Sequence, residues 1–107
     1  MVLDDQYAFL SGLVAADFPA GIEVLGDAAA ETRAIWAAIG SILDELSLTK
    51  ERIVKVEVHL ANLDDFDAMD AAYREFFDGD AYPARTTTES KHLFGGSRVE
   101  ITCQVRR

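Results

Sequence analysis

Residues 53–60 read Ile-Val-Lys-Val-Glu-Val-His-Leu, and this octet decides what kind of fold the chain can adopt. Val54, Val56, Val58 and Leu60 fall on one side of an extended chain, with Lys55, Glu57 and His59 on the other. Alternation of that kind, rich in β-branched residues, predicts a half-buried strand, because successive side chains of a strand point to opposite faces. Upstream, Asp27 opens a run whose apolar positions are Ile35, Trp36, Ile39, Ile42, Leu43 and Leu46. Their spacing makes one stripe on a helix, with Asp27 as N-cap and Glu31 near the positive end of the helix dipole. Downstream, Asn62 is a second N-cap, with Asp65 three residues on in a box-like arrangement. Phe66, Met69, Tyr73, Phe76 and Phe77 form the next stripe, which Asp78, Gly79 and Asp80 close. A strand framed by two amphipathic helices belongs to a sheet that carries its helices on one face.

The flanks extend this pattern. Tyr7–Val14 reads as a buried strand containing Ser11 and Gly12, and a glycine there marks a bulge or a close backbone approach. Residues 17–21 form a turn, and Ile22, Val24 and Leu25 a short second strand. Pro83 fixes a turn, residues 85–93 are polar and β-branched enough for a strand, and Gly95, Gly96 and Ser97 turn again. Val99, Ile101, Cys103 and Val105 alternate with polar residues in a final strand. The order is β(β)αβαββ, an α+β fold in one domain spanning residues 1–107, with a mixed sheet and two helices on one face. The opposite face is semi-polar, with Ile53 and Ile101 as apolar points that call for a subunit interface. A symmetric hairpin about Gly95 and Gly96 would pair Glu100 with Lys91 and Arg85 with Arg106. Arg85 and Glu100 would then stand roughly 20 Å apart at ~3.3 Å per residue, too far to share a ligand within one subunit.

Composition narrows the function classes. The 107 residues carry 19 acids against 10 basic residues, for a net charge of −9. That balance repels a phosphate backbone and argues against nucleic-acid partners. No apolar run approaches the roughly 18 residues of a membrane span, and the acids Asp4 and Asp5 stand where a secretory signal has basic residues; a cytoplasmic protein without membrane contact is expected. Cys103 is the single cysteine, so no internal disulfide can form, and its alternation with Val99 and Ile101 reads as core packing. Two histidines, His59 and His92, without ligand spacing predict no metal site.

Four stretches together resemble a known family. They are residues 9–14 (FLSGLV), 26–33, 54–77 (ending YREFF), and 83–87 (PARTT) with 99–101 (VEI). Their order and spacing resemble the RidA/YjgF family over essentially the whole chain. The resemblance implies a chorismate-mutase-like α+β fold, a homotrimer around a central barrel with sites between subunits, and cofactor-free hydrolysis of 2-aminoacrylate and related enamines or imines. It implies that Arg85 holds the substrate carboxylate and that Glu100 positions the attacking water. Ser11, Gly12, Asp70 and Thr87 fall on its substrate-binding positions. Asp70 replaces a family asparagine, Thr87 a common cysteine and Leu13 a common glutamine; a tyrosine that relatives carry before the first strand has no counterpart here. The chemistry suits these residues: arginine offers a planar fork for a carboxylate and stays charged, and one carboxylate can aim and activate a water. A non-catalytic trimer that holds small metabolites in the same clefts is the alternative, and the net charge argues against the RNA cleavage of the family's older name.

Overall fold

The computed structural model describes residues 1–78 and 81–107. Strands β1 (Val2–Leu3), β2 (Tyr7–Val14), β3 (Ile53–Leu60), β4 (Ala84–Glu89) and β5 (Val99–Arg106) form one sheet in the order β1-β2-β5-β3-β4. Among the described residues β3 and β4 run parallel and the other pairs antiparallel. Helices α1 (Pro19–Ile22), α2 (Ala28–Glu45) and α3 (Phe66–Phe77) complete the chain. This is the expected mixed α+β sheet, with α2 and α3 packed on one face.

The core lies between that face and those helices. Ala8, Leu10, Val56, Val58, Leu60, Val99, Ile101, Cys103 and Val105 meet Ile35, Trp36, Ile39, Leu43, Met69, Tyr73 and Phe77. Each large apolar side chain buried this way stabilises the fold by about 1.5–3 kcal/mol relative to exposure. Trp36 anchors the helix pair: it stacks on Phe76 at 4.6 Å and meets Phe77 edge-on at 5.2 Å. Asp27 caps α2 as expected, accepting from the Ala30 amide at 3.0 Å. Glu31 is fully buried and accepts from the amides of Gly26 at 2.8 Å and Arg98 at 2.9 Å. One carboxylate thus ties the entry of α2 to the start of β5.

Several sequence expectations need correction. Residues 22–25 are not a strand. Pro19 occupies the first turn of α1, the Phe18 carbonyl accepts from the Gly21 and Ile22 amides, and a Cβ on Gly21 would lie 2.1 Å from the Ala15 carbonyl. The chain is folded back too tightly there to extend, and Ile22 and Leu25 remain exposed. Val2 and Leu3 add an edge strand that the sequence did not announce. Strand β4 stops at Glu89 rather than reaching residue 93. Gly95 and Gly96 do not close a hairpin: both adopt positive φ, at 67° and 75°, in a short 3₁₀ turn, and β4 pairs with β3 instead of β5. The pairings of Arg85 with Arg106 and of Glu100 with Lys91 therefore do not form. Ile53 and Ile101 belong to the helix-covered core, since the register slips beside Val54 and turns Ile53 inward. No capping box closes on Asn62: it accepts from the Asp64 amide at 2.8 Å, while Asp65 bonds Arg98. Gly79 and Asp80, the expected stop of α3, lie outside the described residues; Asp78 before them is left-handed, with φ 56°.

Candidate functional site

The six residues singled out by sequence fall into two groups on opposite faces of the sheet. Arg85 begins the first. It pairs in register with Val56, so its side chain projects toward the helices from the edge strand β4. There its guanidinium lies 4.5 Å from the Tyr73 ring centroid and 5.4 Å from that of Phe66. Both contacts are within reach of cation–π attraction, which favours a desolvated cation. Asp70, on α3, accepts from Arg85 Nη1 at 2.7 Å and from Arg74 Nε at 2.8 Å. Burial raises the Asp70 carboxyl, but the hydrogen bonds and charges of Arg74 and Arg85 outweigh it and hold the group below the usual carboxylate range. The trio Arg74–Asp70–Arg85 carries a net positive charge. It lines, with Tyr73, Tyr82 and Pro83, a cavity of about 280 Å³.

Two hydroxyls in this region are buried with no partner among the described residues, Tyr73 Oη and Thr87 Oγ1. Burial pushes the Tyr73 phenol up to about 12, so it stays neutral and available as a donor. Thr87 lies two residues beyond Arg85 on the same face of β4. Tyr73 and Tyr82 were not among the site residues read from sequence. Tyr73 looked like one more member of the α3 stripe, and only its unpartnered hydroxyl beside Arg85 marks it.

The second group lies on the uncovered face. Leu10 pairs with Cys103 and Leu13 with Ile101, so Ser11 and Gly12 together oppose Thr102. That is a β-bulge, and bulges re-aim neighbouring side chains. The bulge also serves a close approach: a Cβ at Gly12 would lie 2.8 Å from Glu100 Cδ and 3.0 Å from its Oε1. Glycine at 12 leaves room for the Glu100 carboxylate against bare backbone. On the other side of Glu100, His59 is its register partner on β3, and His59 Nδ1 lies 2.8 Å from Thr88 Oγ1. Lys55, Glu57, Thr102 and Gln104 continue this face, with the exposed Phe9 at its margin.

Arg85 and Glu100 are separated by two strand spacings and three residues of register, roughly 14 Å between Cα atoms, and they face opposite ways. One small molecule cannot touch both within one subunit. Cys103 is buried, and burial pushes its thiol up to about 12, which makes it a packing residue and a poor nucleophile. Among the described residues, no group of three or more His, Cys, Asp or Glu is placed to hold a metal ion, and no helix is long and apolar enough to cross a membrane.

Comparison with known proteins agrees with this architecture. The family model described as Endoribonuclease L-PSP matches residues 1–106. A RutC family protein of Synechocystis is 32% identical over 99 residues, covering 91% of this chain and 75% of that protein. Human 2-iminobutanoate/2-iminopropanoate deaminase is 32% identical over 100 residues, covering 94% of this chain and 72% of the relative. The crystal structure of the YjgF gene product of E. coli superposes with a TM-score of 0.85 at 26% identity, over 99% of this chain and 84% of that one.

Proposed function

The chain belongs to the Endoribonuclease L-PSP family, also called YjgF/RidA, and from that premise we propose that it is a cofactor-free deaminase of small carboxylated enamines and imines. The observation that carries the reading is the placement of Glu100 over the bare backbone of Gly12, which leaves a carboxylate aimed across an open face. The human relative's name supports the same chemistry. An imine carbon is already electrophilic, so the protein has to hold the substrate, aim a water and manage protons. Arg85 anchors the substrate carboxylate through the donors that Asp70 leaves free. Glu100 takes a proton from water as the hydroxyl adds to the C=N carbon. The resulting carbinolamine collapses to a 2-oxo acid and ammonia. Ser11 and Gly12 shape the wall, and Thr87 with Tyr73 supplies hydroxyls beside the anchor.

Because Arg85 and Glu100 face apart, the working site in this reading forms between subunits, with Arg85 from one and Glu100 from its neighbour in a homotrimer. The test is ammonia and 2-oxo acid release from 2-aminoacrylate or 2-iminopropanoate generated in the assay, comparing wild type with Arg85→Ala and Glu100→Gln. The expected result is acceleration by wild type, with Glu100→Gln down about 10²-fold, as loss of a positioned acid–base group produces, and Arg85→Ala losing turnover with its carboxylate anchor. Absence of acceleration by wild type would refute the reading. One observation favours a second reading: Arg85 already holds a carboxylate, that of Asp70. A trimer that binds 2-oxo acids without turning over imines fits that pairing, and the same assay run beside a binding titration separates the two.

A further inference from the structure

The uncovered face holds one ionisable side chain, next to Glu100, to which the scheme above gives no role. Register places Thr88, His59 and Glu100 in one row across β4, β3 and β5. Residues directly opposite on paired antiparallel strands share a face, with Cβ atoms about 4.5–5.5 Å apart. His59 and Glu100 are therefore cross-strand neighbours at their Cβ atoms. The imidazole leans toward Thr88 on β4 and the carboxylate toward Gly12 on β2, so that the two groups flank a gap on the open face. The contact of Nδ1 with Thr88 Oγ1 pins the ring toward β4 and leaves Nε2 as the nitrogen that can meet a ligand. Gly12 closes the far side of Glu100. Other charges facing His59 are few. On its own strand Glu57 and Lys55 lie 4.0 Å from each other and offset one another, β5 contributes Glu100, and β4 presents only Thr86 and Thr88 on that face.

We propose that His59 is a further catalytic residue, acting with Glu100 as an acid–base pair. The assignment rests on the reading of Glu100 as the carboxylate that activates water. The proposed cycle starts with Glu100 as the base and His59 as the acid. Glu100 takes one proton from water while the hydroxyl oxygen bonds the imine carbon; the C=N electron pair moves to nitrogen, which receives the proton of His59. In the second half, neutral His59 removes the carbinolamine hydroxyl proton as C=O forms. Glu100 returns its proton to the nitrogen as the C–N bond breaks. The sum is imine plus water to ketone plus ammonia, and both groups end as they began. A single carboxylate has to serve both halves by itself; a pair that exchanges roles does not.

The experiment measures kcat and KM against pH for His59→Gln and His59→Phe in the full chain, with 2-iminopropanoate generated in the assay. Position 59 lies outside the core, so both variants should fold, and size-exclusion chromatography beside the kinetics checks that each keeps the wild-type subunit assembly. The expected result is a kcat lower by about 10²-fold, KM within twofold, and loss of the inflection in the range where imidazoles titrate, roughly pH 5–8. A wild type that turns over imines beside variants with unchanged kcat and pH profile overturns the proposal and leaves the deaminase reading intact. A second readout does not need turnover: the ring ¹⁵N resonances of His59 at neutral pH should move in Glu100→Gln and stay in Lys55→Gln. Identical spectra in wild type and Glu100→Gln overturn the pairing. If the spectra respond but wild type accelerates no imine, the proposed function fails, and the catalytic role falls with it.

Discussion

Asp70 sits where its effect on ligand binding can be argued from geometry alone. Its side chain and that of Arg85 are only 16% and 21% exposed, so their attraction is poorly screened. A substrate carboxylate approaching Arg85 meets a guanidinium whose charge is already offset. Asp70→Asn keeps an oxygen that can accept from Arg85 but removes that charge. The variant should bind a 2-oxo acid several-fold tighter, a gain of about 1 kcal/mol for a charge-assisted pair no longer shared. Isothermal titration with 2-oxobutanoate reads this directly; weaker binding would mean that Asp70 is needed to orient Arg85. Tyr73 makes a second case at the same scale. Its hydroxyl is buried without a partner among the described residues, and an unsatisfied buried polar group costs about 1–3 kcal/mol. Tyr73→Phe should therefore be neutral or stabilising in denaturant unfolding, while any role of that hydroxyl toward a ligand would appear as lost affinity. Stability and binding moving in opposite directions is the signature of a functional residue in a strained setting.

At the scale of elements, the bulge of β2 and the buried Glu31 show how the site is held. Gly12→Ala places a methyl group 2.8 Å from Glu100 Cδ, and the flexible carboxylate is what must yield. Turnover should drop at least tenfold while the unfolding midpoint moves little, since residue 12 is exposed. Glu31→Ala predicts the reverse. It strips the part-buried amide contacts of Gly26 and Arg98 of their acceptor, at a cost of about 1–3 kcal/mol, visible in urea unfolding. The elements that were legible in the sequence are those whose periodicity reports burial: the stripe of α2, the alternation of β3 and β5, and the Asp27 cap. The segment around Ile22 and Leu25 was not, because a few apolar residues carry no period, and the close contact of Gly21 with Ala15 is a long-range fact. The Gly95–Gly96 pair misled for a related reason. Two glycines permit positive φ, but they do not say which strand follows as neighbour, and β4 joined β3 in parallel. The site was legible only as a set of motif positions. That Arg85 and Glu100 face apart, and that His59 stands beside Glu100, required the register.

At the scale of the whole molecule, two quantities report on the fold and on assembly. The Cys103 thiol and Tyr73 phenol are both raised by burial to about 12, from ordinary values of 9.0 and 10.0. The unfolded chain ionises these groups first, so it binds fewer protons than the folded chain between pH 9 and about 12. Stability is then fully present below pH 9 and is lost as pH rises through that window. Urea unfolding between pH 8.5 and 11 should show this decline, and Tyr73→Phe should flatten the part above pH 10. Assembly is tested by mixing. If each site takes Arg85 from one subunit and Glu100 from the next, Arg85→Ala and Glu100→Gln homotrimers are each inactive, but mixed trimers are not. A site regains both groups when an Arg85-bearing Glu100→Gln subunit meets a Glu100-bearing Arg85→Ala neighbour in the right order. Random assembly from equal amounts makes that about one site in four for a cyclic trimer. Refolding the two variants together should then recover about a quarter of wild-type turnover, whereas a site contained in one subunit would recover none, since no chain in the mixture carries both residues.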